Sequence, residues 1–519
     1  MTKKIAPLFK STDEQIEPLT ATITGDIPKW LKGDFLSIGP GVFDIKDFTV
    51  NHWCDGFGVV CKFSILGDKA QVTFTKRHIN SDAYNKAKTV GKPVYTEFGT
   101  KAYSDPSKGF FSKIMNNVLP ELTDNETNCI YKLGQTIYLA TESANKRTLN
   151  VKSLLSEGKV DLTDTMKINL ACSHVYFDPD GTGYTLGTSL TSGVKTQIFK
   201  IEPKGCKPGE EFKNATPLCT LPSRYKTSIS FSHSFGLGEK QIVYIEQPLF
   251  MNGMKLISMT MKGKCMWDTM EWKPEEKNRF TVVDKSTGQV SPVIYESDVA
   301  FFYHHLINVY ESNGQVVVDV MAHDSPEVFD RLWLKELRKG VYALKDKPSA
   351  RRFILPLLKT EKDLTALPEN ENLIDPSMNA TAKRVGDKII VSSKMLAEPT
   401  YDLPTVNPRC SGKVYSYFYA TGMYADGPFS NSVVKVNVET GDIIKWTGEE
   451  NQFPGEPLFI QQPGTTQEDD GVVVSIVVDT ESNEAFLLIL KAENMNEIAR
   501  ATITAHVPCL LHGLFVDNH

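Results

Sequence analysis

Long apolar runs are missing from this 519-residue chain. No uninterrupted stretch of about 20 hydrophobic residues occurs, so no helix is expected to span a membrane. Long basic runs are missing too: 57 Lys+Arg stand against 63 Asp+Glu, a net charge of −6. That excludes a broad electrostatic footprint for nucleic acid. HExxH, GxSxG, a P-loop and a GxGxxG after a strand are all absent. Zincins, triad hydrolases, P-loop NTPases and Rossmann dehydrogenases drop out with them. No CxxC occurs, and the nine cysteines are scattered and odd in number. The first ten residues lack the apolar core of a secretory signal. Free thiols and a cytoplasmic location follow. Asn125-Glu-Thr, Asn214-Ala-Thr and Asn379-Ala-Thr match glycosylation acceptors, but nothing else points to secretion.

What is present in quantity is the short strand followed by a polar turn. Residues 130–140, 175–186, 235–245, 309–320, 385–391, 434–446 and 472–490 each join β-branched or aromatic runs through Gly, Asp or Asn. These are hairpin signals. They recur from about 130 to 515 without exact repetition, too many for one sandwich. The pattern predicts an all-β chain of β-propeller type. No linker marks a boundary, so 1–519 reads as one domain with inserted cap segments. Helical patterns are few. Residues 326–340 carry Val328, Leu332, Leu334 and Leu337 at roughly helical spacing, and 107–119 is amphipathic. Residues 361–379 read as a long surface loop.

Only ten histidines occur. His174, His233, His305 and His512 sit among apolar or aromatic neighbours in β-rich segments. In a propeller, side chains from different blades converge on the axis, so widely separated histidines can meet at one metal. Spacing alone does not single these four out, because a histidine in an apolar run also serves as a hydrogen-bonded core residue.

Further segments carry a resemblance. They are Ile38-Gly-Pro-Gly-Val-Phe, His52-Trp-Cys-Asp-Gly-Phe-Gly, Glu97-Phe-Gly-Thr-Lys-Ala-Tyr, Phe231-Ser-His-Ser-Phe-Gly, His304-His-Leu-Ile-Asn-Val-Tyr-Glu, Gly455-Glu-Pro-Leu-Phe, Glu468-Asp-Asp-Gly-Val-Val-Val-Ser and Leu511-His-Gly-Leu-Phe. Together, and in this order from about 35 to 515, they resemble the carotenoid cleavage oxygenases. The likeness is to the animal branch in particular: β-carotene oxygenases, the insect isomerooxygenase and the retinoid isomerohydrolase.

The resemblance implies a seven-bladed β-propeller with helices and loops capping one face. It implies a non-haem Fe(II) held by His174, His233, His305 and His512. His305 is chosen over His304 because the family pattern is His-x-x-Asn and only His305 stands three before Asn308. Carboxylates that fix the ligand histidines fall at Glu142, Glu456 and Asp402. Asp402 stands where glutamate is usual, and its shorter side chain reaches less far. Tyr176, Phe231, Phe301, Phe302 and Tyr303 are candidates for lining a tunnel for the substrate.

The implied reaction is oxidative cleavage of a carotenoid C=C, centrally at 15,15′, to retinal. A variation couples it to trans–cis isomerisation. Retinyl-ester isomerohydrolysis, eccentric cleavage and carotenoid binding without turnover are the alternatives. A cysteine in the animal Pro-Asp-Pro-Cys-Lys run is absent here, where Ser104-Asp-Pro-Ser-Lys stands. The segments 107–119 and 249–270, with flanking lysines, are candidates for peripheral contact with a membrane or lipid droplet.

Overall fold

Strands built from β-branched and aromatic residues and closed by tight turns make up most of the molecule. In the computed structural model, the described residues are 5–105, 122–190, 193–259, 261–340, 346–358, 360–397, 401–421 and 430–517. The amphipathic stretch 107–119 lies outside them. Each expected hairpin is present. Phe302–Ser312 pairs antiparallel with Gln315–His323, for example. Asn313 and Gly314 between them take φ values of 51° and 73°, the left-handed pair of a two-residue turn that matches strand twist. Along Gln315–His323, Val316, Val318 and Val320 enter one apolar core, and Val317 and Met321 enter the next. A strand buried on both faces reads as a continuous apolar run.

The hairpin signals leave out the first eighty residues, which the structure folds into the same architecture. Gln15–Thr20, Gln71–His78, Phe57–Leu66 and Lys32–Val42 form a sheet completed by Gly513–Asp517 from the far end of the chain. Ser37 pairs with Gly513 in it. Thr22–Gly25 also pairs with Glu497–Ile503. Both ends of the chain are therefore stitched together by backbone hydrogen bonds. This closure places His512 one residue before a strand anchored to the N-terminal sheet.

Two expectations need correction. Residues 326–340 do not form one helix but two short ones, Glu327–Arg331 and Leu334–Leu337. Between them the chain pairs with 51–53: Trp53 N–H donates to the Leu332 carbonyl, and Leu334 N–H donates to the Asn51 carbonyl, both at 2.9 Å. The His52 Nε2 contact with the Phe329 carbonyl, at 2.8 Å, reinforces the break. Tertiary hydrogen bonds here override helical periodicity. Within 361–379, Glu361–Ala366 is helical, started by a capping box between Thr360 and Asp363.

Candidate metal centre

The four histidines come from four separate places in the fold. His174 precedes Tyr176–Phe177. His233 lies between Ser228–Ser230 and Gly236–Leu237. His305 sits in Phe302–Ser312 where the pairing register shifts between Tyr303 and Leu306. A bulge of this kind re-aims side chains, and here both His304 and His305 reach the interior cavity. His512 abuts Gly513, where a Cβ would lie 2.9 Å from the Phe35 ring. Glycine there lets the chain pass close to the N-terminal sheet.

One ring nitrogen of each of these histidines lies within 4.8 Å of the others. His174 Nε2 is 3.1 Å from His233 Nε2, and His305 Nε2 is 3.2 Å from His512 Nε2. The opposite nitrogens are engaged outward. Nδ1 of His233 meets Glu142 Oε1 at 2.5 Å, that of His305 meets Asp402 Oδ1 at 2.6 Å, and that of His512 meets Glu456 Oε1 at 2.7 Å. The reach doubted for the shorter Asp402 is therefore sufficient. Among the described residues, no carboxylate meets Nδ1 of His174. Its Nδ1 lies 3.6 Å from the Cys129 thiol, a partner with no signal in the sequence.

With Nδ1 donating to a carboxylate, Nε2 is left as the free lone pair pointing inward, the tautomer a metal ligand needs. Burial, then the three neighbouring imidazoles, holds His174 well below its ordinary pKa. Burial also lowers His305, against the pull of Asp402. Burial would lower His512, but the charge and hydrogen bond of Glu456, joined by the Asp402 and Glu142 charges, raise it. Burial would raise both Glu142 and Asp402, yet the hydrogen bonds and charges of His233 and His305 bring Glu142 below its usual range and Asp402 well below. Four convergent imidazoles with anionic groups one layer out form a donor set that fits a divalent transition metal.

The cavity above the cluster is walled by Phe98, Ile229, Phe231, Met270, Val328 and Phe329, with His233, His304, His305 and His512 at its floor. Of the expected lining residues, Phe231 is on this wall. Tyr176 lies behind His174 with its ring stacked at 5.8 Å. Phe301, Phe302 and Tyr303 are fully buried and belong to the cores between strands, although the Phe302 ring lies 4.6 Å from that of His304. Aromatics beside a ligand in sequence alternate between site and core, which is why adjacency misplaces them. The segment 327–337 and the methionines near 270 supply wall that sequence adjacency does not reveal.

The model of the family described as retinal pigment epithelial membrane protein matches residues 8–517. The chain belongs to that family. It is 34% identical over 530 residues to the mitochondrial carotenoid-cleaving dioxygenase of Mustela putorius furo, covering 99% of this chain and 96% of the relative. It is also 34% identical to the beta,beta-carotene 15,15′-dioxygenase of Homo sapiens, covering 98% and 94%, and to that of Gallus gallus, covering 98% of each. A solved variant of the Synechocystis apocarotenoid oxygenase superposes with a TM-score of 0.78 at 20% identity, covering 100% of this chain and 99% of that one. Its cobalt-substituted form gives the same score at 21% identity and the same coverage. At that identity the likeness is one of fold: a predominantly β chain of the same architecture.

Proposed function

We propose that the protein is a non-haem Fe(II) dioxygenase that cleaves the central 15,15′ double bond of a carotenoid to retinal. The observation that carries this is the four-histidine cluster at the floor of an apolar cavity, in a chain whose full-length relatives are named for that reaction. His174, His233, His305 and His512 would hold the metal through Nε2. Glu142, Asp402 and Glu456 fix three of the rings and supply negative charge against the cation.

Bound iron would supply activation of O₂ for attack on an alkene. The balance needs nothing more: one C=C and one O₂ give two carbonyls, so no external reductant or nucleotide site is required. The wall from Phe98 to Phe329 desolvates the polyene and positions it over the histidine floor. Desolvation also excludes water from the reacting carbons.

The same reading takes 1–519 as a single seven-bladed propeller. Seven of the sheets among the described residues have four to six strands, and the chain ends close on each other. It also takes the protein to be cytoplasmic with peripheral contact to a lipid surface. No helix among the described residues is long and apolar enough to cross a membrane. Within 249–270, Met251, Leu256 and Met259 pack inward. Met254 and Met261 are 68% and 63% exposed among Lys255, Lys262 and Lys264, the composition of an interfacial patch.

The test is anaerobic reconstitution with Fe(II), then incubation with β-carotene or zeaxanthin in detergent and chromatography of the products. Retinal as the sole aldehyde supports the proposal, and an equal share of a cis isomer adds coupled isomerisation. Longer apocarotenals would establish eccentric cleavage instead. Retinol from a retinyl ester without O₂ consumption would establish isomerohydrolysis. Bound carotenoid with no product would leave a carrier.

A further inference from the structure

The three carboxylates behind the histidines are held in place in three different ways. Each uses one oxygen for an imidazole. Glu142 gives its other oxygen to Asn128 Nδ2 and to Thr141 Oγ1. Glu456 gives its other oxygen to the Gly513 N–H at 2.7 Å. Asp402 instead uses Oδ1 twice, accepting from His305 Nδ1 and from its neighbour's N–H, Leu403, at 2.8 Å. Leu403 takes φ 52° to do so, a left-handed conformation that leucine adopts only under constraint. The second oxygen, Oδ2, faces Nε2 of His323 at 3.8 Å.

His323 ends Gln315–His323 and is fully buried, as is Asp402 at 2% exposure. It stands directly across the strand pair from Phe302. The 3.8 Å separation is longer than a hydrogen bond and too short to admit a water between the two atoms. With its proton on Nε2, the His323 imidazole would present an N–H dipole to this buried carboxylate oxygen and fix the carboxylate's rotation, because little screens it. The geometry points to His323 as a positioning residue for the metal centre, acting through Asp402. It is the counterpart of Asn128 for Glu142 and of the Gly513 N–H for Glu456. Asp402 is the shortest of the three side chains, so its rotation sets the tilt of the His305 ring most directly. The inference rests on the four-histidine reading of the metal site.

The test uses the full chain with Fe(II) and, as a spectroscopic probe, Co(II). Metal stoichiometry, dissociation constant and the cobalt absorption bands are measured for the unmodified protein, His323→Leu and His323→Gln. The expected result is one metal per chain throughout. Affinity should fall roughly 10- to 100-fold with shifted cobalt bands in His323→Leu, the usual range for loss of an outer partner. His323→Gln, which retains an N–H donor, should recover most of both, and it supplies a folded comparison if leucine perturbs the core. Equal affinity and unchanged bands in His323→Leu would overturn the role while leaving the four-histidine site standing. Two metals per chain, falling to one in His323→Leu, would also overturn it, placing a cation among His304, His323 and Asp402, whose ligand atoms lie within 4.8 Å of one another. No metal bound by the unmodified protein would remove both the site and the inference.

Discussion

Two carboxyls at the axis and three behind the cavity wall share deep surroundings but are shifted in opposite directions. Glu142 and Asp402 at the axis are held below their usual range. In the wall built from 53–58, 96–100 and 122–128, burial raises Asp55 to about 6, Glu126 to about 8 and Glu97 well above its ordinary value. Asp55 is restrained by N–H and hydroxyl donors from Gly99 and Thr100. Glu126 is restrained only in part by Lys146, and Glu97 is pushed further by the Asp55 charge. Burial therefore pushes a carboxyl toward its neutral form here, and a cationic or imidazole partner pulls it back, as His233 and His305 do at the axis and Arg147 does for Asp124 in the wall. Glu142 and Asp402 thus keep negative charge beside the place where a cation would sit. Glu126, at about 8, is largely protonated at pH 7, and burial pushes Glu97 in the same direction, which suits this part of the wall to a hydrocarbon.

The comparison breaks most sharply at the histidines. His233→Ala removes a ring nitrogen and the partner of Glu142 together, and it is expected to abolish both metal retention and product formation. Full iron occupancy in that variant, measured by elemental analysis, would falsify the ligand assignment. Next in size is Glu456→Gln, which removes the charge behind His512 while keeping the side chain's shape. Metal affinity is expected to drop about 10- to 100-fold. Because Glu456 is the leading group that raises His512 against burial, the proton that competes with the metal is held less tightly in the variant. The acid limb of metal binding should move to lower pH, and a limb that stays in place would detach Glu456 from His512. A smaller effect is expected at the wall. Glu97→Gln puts a neutral amide of the same shape where burial already pushes the carboxyl toward its neutral form, so turnover and metal content should stay within about twofold. Loss of metal there would erase the distinction between wall and axis.

The hairpins were legible because turn chemistry and alternation are local, as the Asn313-Gly314 turn illustrates. The N-terminal sheet was not, because Lys32–Val42 is paired with residues nearly 500 positions away. The break at Trp333 was invisible for a like reason: its cause is the chain at 51–53. His174, His233, His305 and His512 stood out through the motifs around them, and the structure brings their ring nitrogens together. Cys129 and His323 did not stand out. Each matters only through the side chain it touches, His174 and Asp402, and no spacing rule connects them.

The smallest expected effect isolates the wall by itself. Glu126 is fully buried, with a folded pKa near 8 against an ordinary value of 4.5. Below about 4.5 the carboxyl is protonated in both folded and unfolded chains and contributes nothing to pH dependence. Between 4.5 and 8 the unfolded chain ionises while the folded one does not, so stability falls as pH rises. Above 8 both are ionised and the loss is complete. At pH 7 the penalty is on the order of 3 kcal/mol, from about 1.4 kcal/mol for each unit of pKa difference traversed. In a chain of this size that is a shift of roughly 3 °C in Tm. Glu126→Gln removes the ionisation, so its Tm should match the unmodified protein's near pH 4.5 and exceed it increasingly toward pH 8. A constant offset across that range would mean that Glu126 is already ionised beside Lys146. Its carboxylate would then be compensated within the wall by a cation, as that of Asp124 is by Arg147.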